Sequence, residues 1–339
     1  MKVDDIQLHR PVRMQVDLSS PPGVPAPVPP ENLWIRKPGA ERKMEAMVDG
    51  GLFFLHLAYP WPGEEDLSLS LEFIRLASNR GVSVSVITEG GLLPAGDLFE
   101  AGAGEVLFDL TPSAHAGEDL KKTAGELLLQ AGHTGAPMRT GFLLFAGPGE
   151  TALLMEFLLA CGERGAGIVE LPAPPLIYYP PREAGRGLLK PEDYRQLEEH
   201  LGEQSEVLSS IEDLRVHDII LWTMIQRNGG FPGGRFSGFK GCQAAGALGY
   251  LKADGTLYPC SALDMPLGRV EDLTDEGFWQ RENVRGVREK IQDRMRSCRD
   301  CPAMETCRGG CPGVSLADSG SWEGGDSLCR FFEDLVRAD

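Results

Sequence analysis

Cysteine is nearly absent from the first 241 residues of this 339-residue chain, where Cys161 is the single example. Positive charge is also scarce, with 33 lysines and arginines against 50 acidic residues and a net charge of −17. This balance argues against nucleic acid as a partner, because a duplex binder needs a basic face. No apolar run reaches the length of a membrane span, and residues 1–5 (MKVDD) lack the apolar core of a signal peptide. We therefore expect a cytoplasmic protein with no membrane or nucleic-acid partner.

The cysteines that are present concentrate in the last third of the chain. Seven of the eight lie between Cys242 and Cys329, with the spacing C-x12-G-x4-C, then C-x2-C-x5-C-x3-C, then C. They are Cys242, Cys260, Cys298, Cys301, Cys307, Cys311 and Cys329. Cytosolic thiols stay reduced, so such a group indicates metal binding more often than disulfides. Proline follows Cys301 and Cys311, and tight turns there would free backbone N–H groups to face sulfur.

The first half of the chain alternates between apolar runs and amphipathic stretches. Six predicted strands near residues 11–18, 52–59, 82–88, 105–110, 139–146 and 168–171 are separated by five predicted helices. Repeats of about 30 residues are typical of βα units with parallel strands and right-handed crossovers. The pattern predicts an α/β fold: a partial six-unit βα barrel over residues 1–175, a linker with bridging helices over 176–239, and a small cysteine-rich domain over 240–339.

The cysteine register and residues 254–260 (DGTLYPC) resemble a SPASM domain, the auxiliary-cluster unit of radical SAM enzymes that modify peptides. The resemblance implies two [4Fe–4S] clusters. One would be held by Cys298, Cys301, Cys307 and Cys329, and the other by Cys242, Cys260 and Cys311. The second set leaves one iron without a cysteine ligand, and residues 235–240 offer no further thiol.

The βα region is similar to the radical SAM core, with two departures. That family holds its catalytic cluster in a C-x3-C-x2-C loop after the first strand, whereas residues 19–37 contain no cysteine here. The sequence PWPGEE at residues 60–65 also replaces the expected Gly-Gly-Glu-Pro stretch. The resemblance therefore implies a barrel that has lost radical chemistry, and S-adenosylmethionine is not expected as a cofactor.

A barrel without catalytic cysteines, followed by an intact SPASM cysteine set, resembles the SPASM-domain protein of the GeoRSP system. The resemblance implies a non-catalytic partner of a radical SAM/SPASM maturase, together with a PqqD-like peptide-binding protein and a precursor peptide. The protein would relay electrons or help to hold the peptide during peptide modification. It would not be an autonomous radical SAM enzyme.

Two alternatives remain open from the sequence. The C-x2-C spacing could hold zinc as a purely structural staple, although seven cysteines divide poorly into four-thiolate sites. Alternatively, the cluster with three cysteines could use its open iron site to bind a substrate, which would make the protein an enzyme.

Four other features have simpler structural interpretations. Cys161 lies in an apolar helix and is expected to be a small buried side chain. His56, within an apolar strand, could face the barrel interior but is expected to be a core histidine with its hydrogen bonds satisfied, and residues 217–218 (HD) are expected to cap a helix or to form a packing hydrogen bond. The C-terminal helix over residues 330–336 is expected to pack on its own chain.

Overall fold

The structure is a computed structural model, and it describes most of the chain. The described residues are 10–21, 27–59, 64–88, 95–110, 122, 126, 139–145, 147, 149–163, 166–172, 176–178, 189–203, 210–228, 235–238, 241–297, 300–301, 304–307, 309–321 and 328–337. The helix predicted over residues 120–130 falls largely outside these ranges. Among the described helices, none is both long and apolar enough to span a membrane.

A run of eight parallel strands forms the main body of the fold. They are β1 (Arg13–Asp17), β2 (Phe54–Ala58), β3 (Ser83–Thr88), β4 (Glu105–Asp109), β5 (Arg139–Leu143), β6 (Ile168–Leu171), β7 (Asp213–Val216) and β8 (Arg235–Gly238). Each pairs in parallel with the next in chain order. The predicted α/β class is confirmed, and β1 to β6 correspond to the six predicted strands.

Strands β7 and β8 were not predicted and lie in the segment that we expected to be a linker with bridging helices. Asp213 and Arg215 alternate with apolar residues in β7, and β8 has the short sequence RFSG. Neither segment shows the apolar run that marked the earlier strands, because both are short and contain charged residues. The parallel sheet therefore continues two strands past the predicted end of the barrel.

Ten α-helices are described alongside the sheet. They are α1 (Ala40–Asp49), α2 (Glu64–Asn79), α3 (Ala95–Glu100), α4 (Thr151–Glu163), α5 (Pro191–Glu203), α6 (Ile219–Arg227), α7 (Glu282–Ser297), α8 (Met304–Cys307), α9 (Pro312–Ser319) and α10 (Cys329–Arg337). The main core lies between the sheet and its helices, where Val16 and Leu57 of the strands are buried with Phe73 of α2 and Leu158 of α4. In strands β1 to β7, alternate residues contribute to this core.

The opposite face of the sheet carries ion pairs. Arg215 of β7 lies 2.7 Å from Glu105 of β4, and Arg139 of β5 lies 2.9 Å from Asp213 of β7. Strands β4 and β7 are three positions apart, which would separate them by about 14 Å in a flat sheet. Direct contact between their side chains indicates that the sheet curves around this face, as a partial barrel does.

The cysteine-rich region extends the same sheet from its other edge. Strand β9 (Leu248–Leu251) pairs in parallel with β1, and β10 (Thr256–Tyr258) and β11 (Gly268–Arg269) follow as antiparallel strands. Gly255 forms the turn before β10 with a φ of +88°, and a Cβ there would lie 3.1 Å from Trp34 Cβ. The predicted turn and strand before Cys260 are confirmed, and the hairpin is joined directly to the barrel.

Candidate metal centre

Three cysteines from separate elements converge beside the β9–β10 hairpin. Cys242 lies before β9, Cys260 follows β10, and Cys311 is the N-cap residue of α9. Burial, followed by repulsion from the nearby Cys311, raises the pKa of the Cys242 thiol to about 12. The pKa of the Cys260 thiol is also raised, most by burial, then by repulsion from Cys311 and then by repulsion from Cys242. The structure therefore brings together the three cysteines that we assigned to one cluster.

Backbone N–H groups point at two of these sulfur atoms. Ala244 N–H donates to Cys242, and the N–H groups of Ala262 and Leu263 donate to Cys260, which lowers the pKa of both thiols in part. Hydrogen bonds of this kind tune the potential of iron–sulfur clusters. We predicted such donors in the proline turns after Cys301 and Cys311, whereas the described donors follow Cys242 and Cys260.

A close backbone contact holds the helix that carries Cys311 against the loop after Cys260. A Cβ on Gly313 would lie 2.0 Å from the carbonyl oxygen of Ala262, so only glycine allows this approach. The short helix Leu176–Tyr178 supports the same loop, because Ile177 N–H donates to Ser261 O at 3.2 Å. The position of Cys311 relative to Cys260 thus depends on Gly313.

The chemistry of these three residues fits an iron–sulfur cluster. Buried thiolates close to one another repel and stay protonated without a compensating cation, and a bound metal deprotonates them. The backbone N–H donors at Cys242 and Cys260 stabilise negative charge on these two sulfur atoms.

A site for a single metal ion is a different arrangement. Within the described residues, no three His, Cys, Asp or Glu side chains are grouped closely enough to hold a single metal ion.

The second predicted cysteine set is described in part, since Cys298 lies outside the described residues. The Cys301 thiol donates to Glu333 Oε1 at 3.4 Å. Glu333 lies one turn into α10, the helix that begins at Cys329. Cys307 ends α8, and its carbonyl accepts from Gly310 N–H at 3.0 Å. The structure thus places Cys301 beside the helix of Cys329, as a shared site would require.

Residues 242–302 match the SPASM family, described as an iron-sulfur cluster-binding domain. The chain carries a SPASM domain. This match contains Cys242, Cys260, Cys298 and Cys301, and it ends before the last three cysteines. A SPASM domain implies that the protein binds iron–sulfur clusters.

Solved structures with the same fold are radical SAM enzymes that contain SPASM domains. The chain is similar to anSMEcpe, solved with bound AdoMet and a Cp18Cys peptide, with a TM-score of 0.63, 14% identity and 96% of each chain covered. It is also similar to SuiB of Streptococcus suis, with a TM-score of 0.61 and 12% identity over 95% of this chain and 78% of SuiB. At these identities the likeness establishes a radical SAM-like fold. No curated protein matches the sequence.

Beyond the SPASM domain, a buried carboxylate lies at the carboxyl end of β1. Asp17 is fully buried and accepts hydrogen bonds from the hydroxyls of Tyr178 and Tyr250. Burial raises the pKa of Asp17 to about 7, although the two phenols and Gln15 partly oppose the rise. Tyr250 belongs to β9, so this contact joins the SPASM hairpin to the barrel. A polar residue at the end of a strand is the one sign of this contact in the sequence.

A second carboxylate lies at the same edge of the sheet. The Tyr59 hydroxyl donates to Asp109 Oδ2 at 2.8 Å, and Asp109 ends β4. Tyr59 has a φ of 55°, and its carbonyl accepts from Ser19 Oγ at 2.8 Å. Burial raises the pKa of the Tyr59 hydroxyl, and the charges of Asp109 and then Asp17 raise it further. The two carboxylates and three tyrosines therefore form one polar cluster at the carboxyl ends of the strands, where βα barrels bind their ligands.

The remaining sequence candidates have structural roles. Cys161 is 1% exposed in the core, as predicted. His56 lies on the ion-pair face of the sheet, and burial lowers its pKa to about 4, so the imidazole is neutral at physiological pH. Asp218 caps α6 by accepting from Ile220 and Leu221 N–H at 2.8 and 2.9 Å, which confirms the predicted cap. His217 lies 3.3 Å from Glu170.

Helix α10 packs on its own chain, as predicted. The Phe331 ring stacks on the ring of Tyr194 in α5, with 5.8 Å between the ring centroids. The Arg195 guanidinium lies over the Phe331 ring, 5.5 Å from its centroid. Arg227 of α6 donates to the Leu335 carbonyl. These contacts fix the helix that begins at Cys329 against the barrel helices.

Proposed function

We propose that this is an iron–sulfur protein with two auxiliary [4Fe–4S] clusters, acting as a non-catalytic accessory partner of a radical SAM/SPASM peptide maturase. Cys242, Cys260 and Cys311 hold one cluster, and Cys298, Cys301, Cys307 and Cys329 hold the other. The protein works in the cytoplasm with the maturase, a PqqD-like protein and the precursor peptide. Bound clusters supply one-electron transfer, and the chain serves to relay electrons or to hold the peptide.

The observation that carries this proposal is the convergence of three partly buried thiols with N–H donors at two of the sulfur atoms. The thiols come from positions 242, 260 and 311, so the fold brings them together across almost the whole cysteine-rich region. Bringing three mutually repelling thiols together in a partly buried site has no advantage for stability alone. It is explained by a cluster that compensates their charge.

The barrel supports the non-catalytic part of the proposal. Residues 19–37, which follow β1, contain no cysteine to hold a catalytic cluster. Asp17, immediately before that loop, is hydrogen-bonded to Tyr178 and Tyr250. The carboxyl end of β1 is therefore used for side-chain contacts between the barrel and the SPASM domain.

Removal of cysteines from one set at a time tests the two-cluster assignment. Anaerobically reconstituted protein with alanine at Cys242 and Cys260 should lose about four irons per chain, and so should protein with alanine at Cys301 and Cys307. Alanine at Cys161, in the core, serves as the control and should leave the iron content unchanged. Zinc without sulfide in the unmodified protein would instead support a structural scaffold.

A further inference from the structure

Arg294 is buried next to the three-cysteine site. It lies on α7, four residues before Cys298, and is only 5% exposed. Arginine is among the residues least often buried, because its charge is costly to remove from water unless other groups compensate it. A buried guanidinium therefore indicates a nearby group that its charge stabilises.

Two contacts connect Arg294 to the cluster ligands. Its Nη2 donates to the Ser315 hydroxyl, and that hydroxyl donates to the Cys311 carbonyl at 3.3 Å. Ser315 N–H donates to the same carbonyl at 3.1 Å, in the first turn of α9. Ser315 is fully buried, so the connection is shielded from solvent. Arg294 is thus linked through one side chain to the turn that presents Cys311.

The charge of Arg294 also reaches a second ligand. The guanidinium attracts the thiolate form of Cys242 and lowers the pKa of that thiol, against the larger effect of burial. One positive charge therefore acts on the Cys242 thiolate and is linked through Ser315 to the backbone that presents Cys311.

We propose that Arg294 is the residue that positions the three-cysteine cluster and sets its reduction potential, through its buried charge and its hydrogen bond to Ser315. This inference rests on the proposed function. One-electron reduction by dithionite makes the cluster more negative, and a nearby buried cation stabilises the reduced form more than the oxidised form. The wild-type potential is thereby higher than it would be without Arg294.

The test is a dithionite titration, followed by electron paramagnetic resonance, of the reconstituted full-length protein and its Arg294→Met variant. The cluster signal that Cys260→Ala removes is assigned to the three-cysteine site. At a fixed potential, Arg294→Met should lower the ratio of reduced to oxidised cluster about tenfold, which is a downward shift of about 59 mV for one electron. Arg285→Met is the control, since it removes the same charge from the same helix where the side chain is 60% exposed. Its potential should stay at the wild-type value.

A wild-type potential in Arg294→Met, with normal iron content, would overturn the inference and leave the proposed function intact. If Arg294→Met fails to fold, Ser315→Ala takes its place, because it removes the hydrogen bond and retains the charge. A downward shift in Ser315→Ala supports the inference, and an unchanged potential overturns it. Absence of iron from the wild-type protein would instead contradict the proposed function itself.

Discussion

Asp17 illustrates how much of the site depends on residues far apart in the sequence. Its carboxylate accepts hydrogen bonds from Tyr178 and Tyr250, which are 161 and 233 residues away. The cysteines could be assigned because their spacing is local and specific, whereas these tyrosines have no local pattern. Arg294 escaped prediction for a related reason, since arginines on a helix are usually solvated.

The buried carboxyl of Asp17 predicts a pH dependence of stability. Its pKa rises from 3.8 to about 7 on folding, so between these values the folded chain binds more protons than the unfolded chain. The contribution of Asp17 to stability is therefore lost as pH rises through this range. Asn cannot ionise, so Asp17→Asn should gain up to about 3 kcal/mol relative to the wild type between pH 5 and pH 8.

Melting temperatures of the two proteins, measured from pH 5 to pH 8, check this prediction. The difference between Asp17→Asn and the wild type should increase from pH 5 to about pH 7 and then level off. Asp97→Asn, at an exposed position of α3, removes an equal formal charge and should show no comparable trend. A flat difference for Asp17→Asn would mean that the carboxyl is ionised throughout the range.

At the scale of elements, the contact between α9 and the loop after Cys260 is the most restrictive feature of the metal centre. Gly313→Ala would place a Cβ 2.0 Å from Ala262 O, which forces α9 and Cys311 away from Cys260. We expect this variant to lose about four irons per chain after reconstitution while the second cluster remains. Iron analysis with Mössbauer spectroscopy measures both.

Gly286→Ala is the matched control for that variant. Gly286 lies within α7, and a Cβ there would meet no atom within 4 Å. Alanine in a helix interior stabilises by about 0.5–1 kcal/mol relative to glycine, so this variant should melt slightly higher with full iron. Full iron in Gly313→Ala as well would show that the close backbone contact is not needed for cluster binding.

The strands show where sequence patterns succeed and where they fail. Strands β1 to β6 could be predicted because apolar residues dominate them and helices separate them at regular intervals. Strand β7 was not predicted because Asp213 and Arg215 interrupt its apolar pattern. These two residues form ion pairs with Arg139 and Glu105. Both partners lie on other strands, so the sequence of β7 alone does not show that its charges are compensated.

At the scale of the whole molecule, the barrel and the SPASM domain share one sheet. The order β11-β10-β9-β1 joins the hairpin before Cys260 to the first barrel strand. Tyr250 of β9 reaches Asp17, while the helix Leu176–Tyr178 contacts both Asp17 and the loop after Cys260. The three-cysteine site is therefore connected to the carboxyl end of the barrel by hydrogen-bonded segments, a suitable arrangement for a partner that relays electrons or holds peptide.

We predict that this chain alone does not cleave S-adenosylmethionine. Residues 19–37 supply no thiolates for a catalytic cluster, so reconstituted protein reduced with dithionite should release no 5′-deoxyadenosine. A catalytic radical SAM enzyme under the same conditions provides the positive control. Release at a rate proportional to protein concentration, retained in variants that lack either cysteine set, would show that the barrel is catalytic.

The most direct test of the central claim is the iron and acid-labile sulfide content of the anaerobically reconstituted protein, with its Mössbauer spectrum. Two auxiliary clusters predict about eight irons and eight sulfides per chain, all in [4Fe–4S] form. About twelve irons would indicate a third cluster and contradict the proposal of a non-catalytic barrel. Zinc without sulfide would contradict the iron–sulfur assignment altogether.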